Sequence, residues 1–145
     1  MNYSECIIKA KDRIGKFCKA CPECNGRACK NQMPGPGSKG IGDTAVRNYD
    51  KWKEIRVQMD TIAENKPVDT SLELFGKTFC YPVFAGPVGA VSLHYGDCLD
   101  DVAYNDILVS ACAENGIAAF TGDGVDSNVM GAATAAIKKA GGVGI

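Results

Sequence analysis

Two short apolar runs limit what this chain can fold into. Tyr81-Pro82-Val83-Phe84-Ala85 stops at Gly86-Pro87-Val88-Gly89, and Ile117-Ala118-Ala119-Phe120-Thr121 stops at Gly122-Asp123-Gly124. A continuous apolar run bounded by turn residues reads as a strand buried on both faces, as in parallel sheets. Between the runs, a helix is expected over about Asp100 to Asn115. Its inner face would carry Val102, Ile107, Leu108, Ala111 and Cys112, and Gly116 would be its stop. Strand, helix and strand make a βαβ unit, whose crossover is right-handed in nearly all cases. Ligands of such folds sit at the carboxyl ends of the strands, and each run ends there in a glycine-rich loop.

The bulk properties are those of one ordinary globular protein. The chain has 145 residues, 46% hydrophobic and 23% charged, which suffices for a real core. A net charge of -1 gives no reason to expect nucleic acid or an anionic membrane as partner. No apolar run approaches a spanning length, and Met1 to Lys11 lacks the apolar core of a secretory signal. A cytoplasmic location is the expectation.

Around the βαβ unit, a helix is expected from Ser4, as cap, to Ile14, and another from Asp43 or Thr44 to about Ile55. Leu72 to Phe79 reads as a hairpin about a Gly76-Lys77 turn. Gly89 to Leu99 reads as loop. Ser127 would cap a last helix, Asn128 to Ala140, and Val143-Gly144-Ile145 looks like the start of a third strand. The expected organisation is an N-terminal segment, 1–42, followed by an incomplete β/α domain, 43–145, from a longer protein. Its open sheet edge would be prone to association.

Four of the eight cysteines fall within twelve residues, as Cys18-x2-Cys21-x2-Cys24-x4-Cys29. Thiolates two residues apart can chelate one ion, and Pro22 and Asn25-Gly26 favour the tight turns this requires. The spacing is near that of an iron–sulfur ligand run but one residue longer in its last gap. Zinc, an iron–sulfur cluster and a set of reduced thiols all remain open. Gly35 to Gly40 formally matches GxGxxG, but no strand precedes it and Pro36 interrupts it, so a dinucleotide site is rejected in favour of a loop over a site.

Asp69-Thr70-Ser71, Gly76-Lys77, Pro82 followed by Gly86-Pro87, and Gly116-Ile117-Ala118 together resemble the FMN-dependent α-hydroxy acid dehydrogenases and oxidases. Glycolate oxidase and lactate oxidase belong to that family. The resemblance covers about Arg47 to Ala140. Part of the string is shared by type 2 isopentenyl-diphosphate isomerase, another FMN barrel. The cysteine-rich start is similar to that of α-hydroxy-acid oxidizing proteins of anaerobic bacteria. The resemblance implies an α/β fold, the N-terminal portion of a (β/α)8 TIM barrel. It would comprise two β/α units and the start of a third strand.

The resemblance also implies a flavin-dependent oxidation of a small 2-hydroxy acid in a full-length homo-oligomer. Gly86, Pro87, Val88 and Gly89 would lie under the FMN ring, with the Thr121 hydroxyl beside it. The family's catalytic base is a histidine in a His-Gly-Gly-Arg motif that this chain lacks. His94, the single histidine, matches a loop histidine instead. No catalytic residue is therefore assigned in this chain, which is expected to be inactive alone. A metal-binding or iron–sulfur module built on Cys18, Cys21, Cys24 and Cys29 is the rival reading.

Overall fold

The computed structural model describes residues 2–33, 41–124 and 126–145. The Gly35 to Gly40 motif lies outside them. The chain divides into two compact units: residues 1–64 with 92–98, and residues 65–91 with 99–145.

The first unit is two helices and the cysteine loop. Helix α1, Tyr3–Lys11, starts not at Ser4 but at a capping box. The Asn2 side chain accepts from the Glu5 amide, and Glu5 accepts from the Asn2 amide in return. Helix α2, Asp43–Lys51, follows Gly42 and runs on into a single 3-10 turn, Trp52–Glu54. Neither α1 nor α2 buries a residue. Among the described residues of this unit, Ala20 is the one buried apolar side chain.

The second unit holds the βαβ segment. Strands β3, Phe84–Ala85, and β4, Ala118–Ala119, pair in parallel with Phe84 opposite Ala118 and Ala85 opposite Ala119. Helices α4, Asp101–Glu114, and α5, Val129–Lys139, pack over them. Val109, Cys112, Ala119 and Ala136 form the core, with Ala85, Leu108, Ile117 and Ile137 around it. No third strand forms over Val143 to Ile145, but Ile145 makes backbone contact with the β4 segment. The Ile145 amide donates to the Ala119 carbonyl at 2.8 Å, and the Thr121 amide donates to the Ile145 carbonyl at 2.7 Å. Those two bonds straddle Phe120, as a parallel neighbour's do.

Three expectations are corrected here. First, the opening run is not buried on both faces: Tyr81, Val83 and Phe84 are exposed. The helices cover one face, and on the other Phe84 keeps only an edge-on contact with Phe120, centroids 5.4 Å apart. Second, the inner face of α4 is Asp101, Asn105, Val109 and Cys112, while Val102 and Ile107 are exposed. The helix has no purely apolar stripe, so hydrophobicity alone misplaces its phase. Third, Ser127 does not cap α5. Asn128 stands at its N-cap, and its amide bonds to the Asp126 carboxylate at 2.8 Å.

The hairpin is present, as β1, Leu72–Leu74, and β2, Lys77–Phe79, but its turn is Phe75-Gly76. Both turn residues have positive φ, 51° and 71°, as a type I′ turn requires. Lys77 instead opens β2 and donates from Nζ to the Gly141 carbonyl, 3.0 Å away, beyond the end of α5. A cation suits that negative helix end. The Thr70 hydroxyl donates to the Cys80 carbonyl at 2.8 Å, and the Cys80 amide donates to the Gly116 carbonyl at 2.7 Å. Gly116 and the end of α5 both lie at the amino ends of the parallel strands, so the hairpin closes that end.

Candidate functional site

The loops leaving β3 and β4 lie backbone against backbone. A β-carbon on Gly89 would overlap the Asp123 carbonyl, and one on Gly122 would overlap the Val88 carbonyl. Side chains at either position would force the two strand ends apart. Gly86 differs: a β-carbon there would meet nothing within 4 Å. Gly86 and Pro87 are exposed, whereas Val88 and Gly89 are half-buried. The absent side chain thus serves loop packing at Gly89 and leaves open space at Gly86.

Helix α4 holds this loop from behind. Asp100 caps the helix through the Ala103 amide, 2.8 Å away. Asp101, buried at 9% exposure, accepts from the Val91 amide at 3.2 Å. The chain turns into that bond through Ala90, a non-glycine residue at φ 50°. Such a backbone costs roughly 1 kcal/mol, and here it persists because Gly89 and Val91 are both fixed. Asn105, one turn further along the same face, is 1% exposed, with neither side-chain amide atom hydrogen-bonded. Sequence reading missed both residues. Asp100 and Asp101 look alike as acidic residues at a helix start, and only the packing separates cap from clamp.

At the end of β4, Thr121 is half-buried, and its hydroxyl donates to the Ile145 carbonyl at 3.1 Å. Thr121, Gly122, Asp123, Asp126, Ser127 and Met130 line a cleft of about 370 Å³ running to the start of α5. That volume is in the range of small-ligand sites. The structure therefore brings Gly86, Pro87, Val88, Gly89 and Thr121 to one end of one parallel pair. Small residues and exposed backbone there leave room for a flat ring, so the residues present fit the flavin that the sequence resemblance implies.

His94 lies in a short helix that the sequence reading gave as loop, α3, Val91–Tyr95, with its ring edge-on to Tyr95 at 5.9 Å. Asp69 accepts from the Ser71 amide at 2.9 Å, which holds its carboxyl below the usual carboxylate range. Asp69, Thr70 and Lys77 thus have structural work at the opposite end of the unit.

The expected gathering of Cys18, Cys21, Cys24 and Cys29 about one point is not what the side chains show. Among the described residues no three His, Cys, Asp or Glu stand where they could hold a metal ion. All four thiols are free, and Cys24 is exposed. Burial pushes the Cys29 thiol above its ordinary range, a backbone hydrogen bond pulls the other way, and Cys24, Cys18 and Cys21 add to the rise.

No helix among the described residues is long and apolar enough to cross a membrane. No curated protein and no solved structure matches the chain. A family model does match, that of the FMN-dependent dehydrogenases, over residues 36–141. This is the family of the α-hydroxy acid oxidases and dehydrogenases, FMN-binding oxidoreductases built on a TIM barrel. With well over half its length inside the match, the chain belongs to the FMN-dependent dehydrogenase family.

Proposed function

We propose that this chain forms the ring side of the FMN site in a barrel oxidoreductase that converts a small 2-hydroxy acid to the 2-oxo acid. The observation that carries the reading is the pairing of the two strand-end loops. Gly89 and Gly122 lock them together, and Gly86 faces open space beside them. FMN, when bound, supplies the redox chemistry by accepting a hydride equivalent.

The chain's own residues bind and orient. Gly86 and Pro87 leave the ring its place, and Asp101 fixes the loop that carries them through the Val91 amide. Thr121 offers a hydroxyl at the neighbouring strand end. Among the described residues, no histidine, lysine or arginine lines the cleft beside Thr121. A proton acceptor, a cation for the substrate carboxylate and a grip on the flavin phosphate would come from later strands of a complete barrel. In this reading the 145-residue chain holds the ring weakly and does not turn substrate over.

Titration of the chain with FMN and with riboflavin tests this. Both should bind saturably, with similar dissociation constants above about 1 μM, because only the shared ring is held. A much tighter grip on FMN than on riboflavin, or turnover of glycolate or lactate, would refute the ring-side assignment. So would the absence of saturable binding by either flavin.

A further inference from the structure

Residues 55–60 of the first unit carry the pattern of a strand without a partner strand. Ile55, Val57 and Met59 alternate with Arg56, Gln58 and Asp60, which gives an extended chain one apolar and one polar face. The segment has no helix, strand or turn. A 3-10 turn, Trp52–Glu54, ends before it, and a bend at Thr61 follows. Ile55 itself is extended, at φ -74° and ψ 132°. All six residues are exposed, Val57 at 87% and Met59 at 84%. Among the described residues, the backbones of Val57, Gln58, Met59 and Asp60 make no hydrogen bond to another residue. Unpaired amides and carbonyls beside alternating apolar side chains are a template for another strand.

The segment is complementary to itself. Residues directly opposite in an antiparallel pair share a face, so apolar side chains meet apolar ones only when odd positions stand against odd. The register centred on Gln58 sets Val57 opposite Met59 and Arg56 opposite Asp60, and symmetry repeats both pairs. The neighbouring symmetric registers lose this match. Centred on Val57, Asp60 faces Glu54; centred on Met59, Arg56 faces Ile62. Neither Arg56 nor Asp60 takes part in an ion pair among the described residues. Arg56 donates through Nη1 to the Lys53 and Ile55 carbonyls, which leaves the other guanidinium nitrogens for a carboxylate.

We infer that residues 55–60 are a docking strand for a second copy of this chain, paired antiparallel about Gln58. The contact is isologous, so the same surface serves both partners and closes as a two-fold dimer. Opposite charges and apolar pairs directly across the strands stabilise such pairing. Six residues a side bury far less than a standard interface, so the expected dissociation constant is about 100 μM or weaker.

The test uses the whole chain, kept reduced so that its thiols cannot join copies, and does not depend on flavin binding. Sedimentation equilibrium from about 10 μM to about 1 mM chain should show a reversible monomer–dimer equilibrium. Arg56→Asp sets carboxylate against carboxylate, and Asp60→Arg sets guanidinium against guanidinium. Each should weaken dimerisation roughly tenfold. The double variant Arg56→Asp/Asp60→Arg restores both pairs and should return the constant to within about threefold of the parent's. Equal amounts of the two single variants should associate with each other more tightly than either does alone, because one carries only acid at the two positions and the other only base. Recovery in the double variant and in the mixture guards against misfolded single variants. A chain that stays monomeric at about 1 mM overturns the inference. So does failure of both the double variant and the mixture to recover the dimer. A dimer that both single variants form as tightly as the parent also overturns it, and moves the contact to another surface, such as the exposed Tyr81 to Phe84 run.

Discussion

The α-carbon of Gly89 and the carbonyl of Asp123 stand so close that a β-carbon on the first would occupy the place of the second. This fixes the separation of the two loops that carry the candidate flavin floor. Gly86, three residues earlier, has open space where a β-carbon would stand. The two glycines therefore differ: a side chain is excluded by packing at Gly89 and not at Gly86. Gly89→Ala should destabilise the second unit by about 2 kcal/mol or more, since the clash is with backbone that cannot move aside. Gly86→Ala should leave stability nearly unchanged, while Gly86→Val weakens flavin binding. Urea unfolding and flavin titration of the three variants check this. Equal stability losses at both positions would remove the distinction.

Thr121 ties the end of β4 to the Ile145 carbonyl. The backbone amide of Thr121 donates to the same carbonyl, so the hydroxyl adds to an existing bond. Thr121→Val keeps shape and amide and deletes only the hydroxyl bond. The expected loss is about 1 kcal/mol in unfolding free energy. Thr121→Ser should recover most of it. If the hydroxyl also reaches bound flavin, the visible spectrum of the flavin complex shifts in Thr121→Val and returns in Thr121→Ser. A valine variant as stable as the parent would show that the bond contributes nothing.

The amide and hydroxyl of Ser71 hold the Asp69 carboxyl below its ordinary value of 3.8. A carboxyl whose folded pKa is depressed contributes stability that is present above its unfolded pKa. That stability is lost as pH falls through the lower folded value. The chain should therefore lose stability as pH drops below about 4. Asp69→Asn should flatten that part of the curve while altering neutral-pH behaviour little. Unfolding midpoints from pH 2 to pH 6 provide the check. An unchanged acid slope in Asp69→Asn would assign the loss to other carboxylates.

Much of the second unit was legible in the residues, because it obeys local rules. The apolar runs, their glycine stops and the helix between them gave strand, crossover and strand, while Val143 to Ile145 is not a strand and only Ile145 bonds back to the β4 segment. What was not legible depended on packing from afar. Hydrophobicity misplaces the phase of α4 because Asp101 and Asn105 face inward: Asp101 meets the Val91 amide ten residues earlier in the chain, and Asn105 is buried with no side-chain hydrogen bond. Lys77 read as a turn residue because its partner, the Gly141 carbonyl, is 64 positions away. The strand run read as buried on both faces because apolar composition alone does not say which faces are covered. The five candidate floor residues, Gly86, Pro87, Val88, Gly89 and Thr121, rest on loop composition and resemblance. That Gly89 and Gly86 do different work needed coordinates.

Cys112 sits in the core under β3, beside Val109 and Ala119, and is 5% exposed. Burial raises its thiol pKa above the ordinary 9.0, while a backbone hydrogen bond at Ala85 pulls it partly back. A thiol reacts as its thiolate, so both burial and the raised pKa should slow it. Cys6, Cys24, Cys80 and Cys98 are exposed. Under native conditions iodoacetamide should label those four first and Cys112 last, at a rate set by opening of the β3–α4 packing. The same group gives a pH dependence of opposite sign to that of Asp69. With its folded pKa raised, its contribution is complete below the unfolded value and is lost as pH climbs through the folded one. Stability should therefore begin to fall above about pH 9, and Cys112→Ala should remove that alkaline slope at the cost of a small cavity. If Cys112 labels as fast as Cys80 in the folded chain, the packing of α4 over Ala85 and Ala119 is looser than the burial implies, and the clamp on the Gly86 to Val91 loop loosens with it.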